Sequence, residues 1–341
     1  MSKAEDFNRF KETQTPERVY DEYTQGMAYK TSKNIFENHK RNELFFIGEQ
    51  WEGVNAPNMD KPVFNILKRV INYFISNLVS DNIGINMTSI NSETADDDKI
   101  EFEMIRKQIE LSKEQNKFSK QMRTLLKDAA VLGDGCMHSY YDPTLTTGNN
   151  DEGGIRSEIL ESTDVVFGNP MTAEVEGQPY IILAKRATLE SVYEELEEQG
   201  KTELIEKVCA DNADNPNVNS ADDNYNDKVT VFIKYFKRRG EVYFIKTTKD
   251  CVLQEVTATG LKKYPVCYMN WERKRNSMHG VGLVDGLIPN QIAINKLAAM
   301  GQQFIKQQAF PRIVYDKTKL FKWQAGMAPI AVTGDPTNVI S

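Results

Sequence analysis

The sequence predicts a mixed α+β chain, helical towards both ends with β-rich runs between them. Three observations carry that expectation. Apolar residues recur at helical spacing over residues 66–79 and 284–309. Runs rich in β-branched and aromatic residues alternate with turn residues over 229–271. A length of 341 residues at 40% hydrophobic supplies enough apolar material for about two packed domains and excludes a disordered chain.

The elements follow in order. Residues 17–47 read as helix from Val19, Tyr20, Tyr23, Met27, Ile35, Phe36, Phe45 and Phe46, with Gly26 as the expected interruption and Gly48 as the stop. Beyond Pro62, the residues Ile66, Leu67, Val70, Ile71, Phe74, Ile75, Leu78 and Val79 form a helical apolar stripe. A third long helix is expected from about Asp96, an acidic start that suits the positive end of a helix dipole, to Leu132. Gly133-Asp134-Gly135 ends it, and a strand at 137–141 follows. Residues 188–199 predict a short helix, 211–227 an Asn- and Asp-rich loop, and 229–247 a hairpin turning at Arg238-Arg239-Gly240. Further strands are expected at 251–256 and 266–271. The last helix, 284–309, carries Leu287, Ile294, Leu297 and Phe304 as a heptad-like seam.

Charge divides the chain. With 49 acidic against 42 basic residues the net charge is −7, so any nucleic-acid contact must be local. Residues 151–227 hold 19 acids and five basic residues, whereas 228–275 hold 12 basic residues and four acids. Lys234, Lys237, Arg238, Arg239, Lys262, Lys263, Arg273, Lys274 and Arg275 concentrate in that second stretch and are candidates for docking an acidic surface or phosphate. Copies arranged head to tail in a ring can pair two oppositely charged modules around a closed cycle. The final helix has a different peculiarity. Between Asn290 and Gln308 it carries Asn290, Gln291, Asn295, Gln302, Gln303, Gln307 and Gln308, with only Lys296 and Lys306 charged. Ordinary exposed helix faces use Glu and Lys, so an amide-rich face suits a surface past which DNA slides without being gripped.

Catalytic signals are absent from this reading. The chain has no Walker A sequence, no G-x-S-x-G elbow and no C-x-x-C pair, and Gly280-Val281-Gly282 with Gly286 lacks dinucleotide-binding spacing and reads as a loop-to-helix hinge. His39, His138 and His279 are scattered; Cys136 and His138 share a strand face without a third ligand. Glu190, Glu194, Glu195, Glu197 and Glu198 read as a solvated helix face. No enzyme, cofactor or metal site is expected. Residues 1–10 hold Lys3, Glu5, Asp6 and Arg9 where a signal peptide is apolar, and 70–79 is too short to span a bilayer, so a cytosolic chain with no membrane contact is expected. Four scattered cysteines fit a reducing compartment.

The order of features resembles the portal proteins of tailed double-stranded DNA bacteriophages. The resemblance rests on Phe45-Phe46-Ile47-Gly48-Glu49-Gln50-Trp51, Pro62-Val63-Phe64-Asn65, Leu132-Gly133-Asp134-Gly135, Asp164-Val165-Val166-Phe167-Gly168-Asn169-Pro170, and Pro289-Asn290-Gln291-Ile292-Ala293-Ile294-Asn295. It implies a homo-oligomeric ring of about twelve subunits, a dodecamer, at the capsid vertex of the virion, assembled in the host bacterial cytoplasm. It further implies a mostly helical wing and stem with a small β-rich clip. Residues 1–185 would be the wing, 186–204 the first stem helix region, 205–275 the basic clip, 276–310 the second stem helix, and 311–341 an incomplete approach to the tunnel loop and crown. Asn290, Gln291, Asn295, Lys296, Gln302, Gln303 and Lys306 would line the DNA channel. The basic residues would meet the terminase large subunit, neck or adaptor proteins, or a neighbouring subunit, and the major capsid or scaffolding protein would surround the ring. Family members continue well past the stem helix, so the resemblance also implies a C-terminally truncated chain.

Two other classes stay open at this stage. A capsid or head-tail adaptor protein without a channel shares the charged patches but gives no reason for the amides. A metal-dependent nuclease built on Glu and Asp clusters would require divalent cation.

Overall fold

In the computed structural model, which describes residues 10–57, 59–79, 87, 98–146, 152–216 and 227–309, the chain is a mixed α+β fold. The helix over Pro16–Ser32 starts at a side-chain cap. Thr15 is extended, its hydroxyl accepts the Arg18 N–H at 3.3 Å, and Pro16 brings a pre-set φ to the first helical position. This helix, α1 (Pro16–Ser32), runs through Gly26 unbroken. The interruption comes instead at Asn34, whose φ of 55° is left-handed, ahead of α2 (Ile35–Ile47). Gly26 answers to packing: a Cβ there would lie 2.1 Å from Val166 Cγ1, so only glycine lets the helix approach the sheet so closely.

After α3 (Ile66–Val79), the expected long third helix is two helices, α4 (Asp98–Gln115) and α5 (Phe118–Leu132), with left-handed Lys117 at the break. Its expected start at Asp96 lies outside the described residues, as do 217–226 of the Asn- and Asp-rich loop and the final segment 311–341.

Among the described residues eight strands follow: β1 (Asp134–Thr146), β2 (Glu152–Leu160), β3 (Val165–Phe167), β4 (Tyr180–Thr188), β5 (Lys228–Arg238), β6 (Glu241–Thr247), β7 (Val252–Ala258) and β8 (Val266–Asn270). They make an antiparallel three-stranded sheet, β2-β1-β8, and an antiparallel five-stranded sheet, β3-β4-β5-β6-β7. β4 and β5 pair from Tyr180↔Phe236 to Thr188↔Lys228. The β-rich stretch at 205–275 therefore forms no sheet of its own: its hairpin completes the sheet begun by 165–188, and its last strand joins β1. The hairpin does turn where expected, at Arg239 and Gly240, with φ values of 55° and 84°.

Both faces of the five-stranded sheet are covered, which explains the continuous apolar run Ile181-Ile182-Leu183-Ala184 in β4. Ile182, Ala184, Phe232 and Phe236 meet Val19, Tyr23 and Met27 of α1, while Ile181, Leu183 and Tyr235 meet Cys136, Val266 and Met278. A helix at 188–199 is observed as α6 (Leu189–Glu198). This helix, ten residues long, lays Val192 and Leu196 against Val229, Val231 and Leu253. A third core joins α2, α3 and α5 to the start of α7 (Leu283–Ala309) through Phe46, Leu67, Ile71, Ile75, Val131, Val284 and Ile288.

The chain divides into two units, one of residues 1–49 and 65–288, the other of residues 50–64 and 289–341. Within the second, the Trp51 indole N–H donates to the Pro62 carbonyl at 3.0 Å. Among the described residues no helix is long and apolar enough to cross a membrane.

Candidate functional site

The amide-rich helix α7 is 27 residues long, about 40 Å. Its expected polarity holds only in part beyond Pro289. Gln291 and Asn295 are 2% and 3% exposed. The Gln291 side-chain amide donates to the Phe64 carbonyl at 2.8 Å and to Asn295 Oδ1 at 3.0 Å, and Asn295 Nδ2 donates to Gln50 Oε1 at 2.6 Å. These two amides satisfy buried acceptors and belong to no exposed face. Gln302 is half-buried, whereas Asn290, Lys296, Gln303 and Lys306 are exposed; Lys306 pairs with Asp60 at 2.6 Å. The expected apolar seam is where the surface opens. Leu297 and Phe304, with Met300 and Ile305 beside them, are 55–68% exposed. Spacings of three and four residues put Leu297, Met300 and Phe304 on one stripe of the helix.

The nine basic residues do not form one patch. Lys234 is inside the fold, 3% exposed, paired with Glu22 at 2.5 Å and donating to Gln14 Oε1 at 2.7 Å. Burial lowers its pKa against the pull of Glu22. Lys237 pairs with Glu176 and lies over the Tyr264 ring, and Arg238 lies 4.2 Å from the centre of the Phe10 ring. Arg239 marks the hairpin turn, and a backbone bond from Val242 to Leu261 brings the exposed Lys262 and Lys263 alongside. Arg273, Lys274 and Arg275 form a separate exposed group on the loop after β8, which the Glu272↔Val281 bridge closes. Part of the opposite charge is also neutralised within the chain: Lys246 of β6 pairs with Glu195 of α6 at 2.5 Å, and Arg186 pairs with Asp211.

Sequence reasoning missed a joint built from two glycine turns. Gly133, with φ 103°, packs so closely on the 280–282 turn that a Cβ would come within 3.1 Å of the Gly280 carbonyl oxygen and the Gly282 nitrogen. Asp134 anchors the joint. It accepts from His279 Nδ1 at 2.8 Å, Asn270 Nδ2 at 2.7 Å and the Gly280 N–H at 2.7 Å, and the Tyr268 hydroxyl lies 3.1 Å from the same histidine nitrogen. Burial raises the Asp134 pKa, but these donors outweigh it and hold the carboxyl below its ordinary value. The glycine spacing was legible; its partner at 133–135 was not, because the two segments meet only in the fold.

Beside this joint lies a cleft of about 470 Å³, lined by the end of α1, the start of α2 and the 274–281 loop. His39 is in its wall, 6% exposed, with Nδ1 lacking a hydrogen-bond partner among the described residues. Burial lowers the His39 pKa to about 4, against the opposing field of Asp134.

His138 is equally buried but partnered, by Glu158 and by the Tyr235 hydroxyl, each at 2.9 Å. Its neighbour Cys136 lies in the core. Among the described residues no group of three or more His, Cys, Asp or Glu is placed to hold a metal ion. Comparison with known proteins finds no matching family model and no matching curated protein.

Proposed function

We propose that this chain is a structural subunit of a portal-type ring, a non-enzymatic conduit for double-stranded DNA at a phage capsid vertex. The observation that carries the reading is the bare apolar stripe of α7, Leu297, Met300 and Phe304 with Ile305 beside it. A long helix that buries Gln291 and Asn295 yet leaves four large apolar side chains in water is incomplete as a single chain. Further uncovered apolar residues on α3 (Tyr73, Phe74, Leu78) and α4 (Ile100, Met104) support the same conclusion, because monomeric proteins rarely leave so many helices with exposed apolar faces. Neighbouring copies would cover these faces around a closed ring. The order of motifs along the chain supplies the portal identity, and the exposed Asn290, Gln303 and Lys296 remain for a channel wall. In this reading the basic groups at 238–239 with 262–263 and at 273–275 face terminase, neck proteins or the next subunit.

The test is the mass in solution by light scattering over a concentration series, for the natural chain and for Leu297→Asp/Phe304→Asp. The reading requires a high-order oligomer that the double substitution takes apart while the circular dichroism spectrum is kept. An oligomer that survives the substitution removes α7 from the subunit interface.

A further inference from the structure

We propose that the cleft beside the Asp134–His279 joint binds a small phosphate ester with an apolar or aromatic body, of the size and chemistry of a nucleoside monophosphate. The exposed cations and the uncapped helix start on the wall favour an anion. Lys33, Lys274 and Arg275 line the cleft, are exposed, and make no ion pair among the described residues. Helix α2, 13 residues long, opens into the cleft with Ile35 and Asn38 on its wall, and no side chain caps its first turn, since Asn34 turns left-handed and makes no capping bond. The partial positive charge of that end is thus available to a ligand. His39 is the independent pointer. It is more than nine-tenths buried, lines the cleft, and leaves Nδ1 without a partner, a cost that a hydrogen-bonding ligand would remove.

Two carboxylates also border the cleft, and both are already engaged. Asp134 holds three donors from the joint, and Asp285 takes Arg41 at 2.8 Å and the Gly282 N–H at 3.1 Å. The remaining wall mixes polar Asn38, Asn276 and Ser277 with apolar Tyr29, Ile35, Leu132 and Met171. A volume of about 470 Å³ exceeds what a bare phosphate fills and falls in the range of small-ligand clefts. Cations together with an aromatic ring and aliphatic neighbours, Lys33 Nζ lying 5.8 Å from the centre of the Tyr29 ring, suit an ester with a flat body better than a free anion.

The experiment is titration calorimetry of the full chain with three probes: adenosine monophosphate, adenosine and inorganic phosphate. The nucleotide should bind one per chain, about tenfold or more tightly than either fragment. Lys274→Ala/Arg275→Ala, at two exposed positions, should weaken it by about tenfold or more with an unchanged melting temperature. Absence of nucleotide binding, or binding that the double substitution leaves intact, overturns the proposal. Phosphate binding as tightly as the nucleotide overturns the assignment of an ester body. The inference does not depend on ring assembly, so its failure leaves the portal reading where it stands.

Discussion

Helices α1 and α7 solve the same problem in opposite ways. α1 puts Val19, Tyr23 and Met27 against the five-stranded sheet and sends even its one buried charge to internal partners: Lys30 Nζ donates to the carbonyls of Ser162, Thr163 and Val165 at 3.0, 2.6 and 2.7 Å. Beyond Pro289, α7 buries Gln291 and Asn295 and leaves Leu297, Met300 and Phe304 in water. The first helix is completed by its own chain. The second, on the proposed reading, is completed by another, and the comparison teaches that a helix's apolar stripe marks where packing can occur without saying whose surface supplies it.

Substitutions that break the comparison begin at α1. Gly26→Ala forces a Cβ into Val166, so despite a better helix propensity it should destabilise the fold by about 3 kcal/mol, read as a lower denaturant midpoint. Lys30→Met strands buried carbonyls and should cost about 2 kcal/mol. Lys30 also gives a pH signature. Burial lowers its pKa from 10.5 to about 7, against the fields of Asp164 and Asp134, so above pH 7 the unfolded chain binds more protons than the folded one. Stability should rise with pH from about 7 towards 10, and the Met variant should lose that slope in pH-dependent urea melts.

On α7 the expected effects are smaller and of a different kind. Gln291→Leu removes the donor to the Phe64 carbonyl and to Asn295, and should cost about 1 kcal/mol by the same measurement. Gly301→Ala sharpens the contrast most, because a Cβ there meets nothing within 4 Å in the single chain. It should raise the stability of the isolated subunit by about 0.5–1 kcal/mol. If a neighbouring copy packs on that side of the helix, the same methyl should weaken assembly even as it stabilises the subunit, a split visible by pairing melts with light scattering.

Much of this fold was legible in local sequence. Gly48 announced a helix stop, Arg239-Gly240 a hairpin turn, and Gly133 a second helix stop, because caps and turns are decided by a few adjacent residues. What misled was anything settled at a distance. Gly26 reads as a breaker until Val166, 140 positions on in the sequence, is seen against it. Gln291 and Asn295 read as solvent-facing until Phe64 and Gln50 claim them, and Lys234 reads as a docking cation until Glu22 holds it inside. The cleft was invisible for the same reason: its cations, its helix start and His39 come from segments that meet only in three dimensions.

The central claim is that the bare stripe of α7 is covered by copies of this chain in a ring. Negative-stain electron microscopy of the purified protein tests it most directly. The account predicts closed rings with a central hole wide enough to pass a DNA duplex. Single particles of one subunit at every concentration, with no rings, would contradict it.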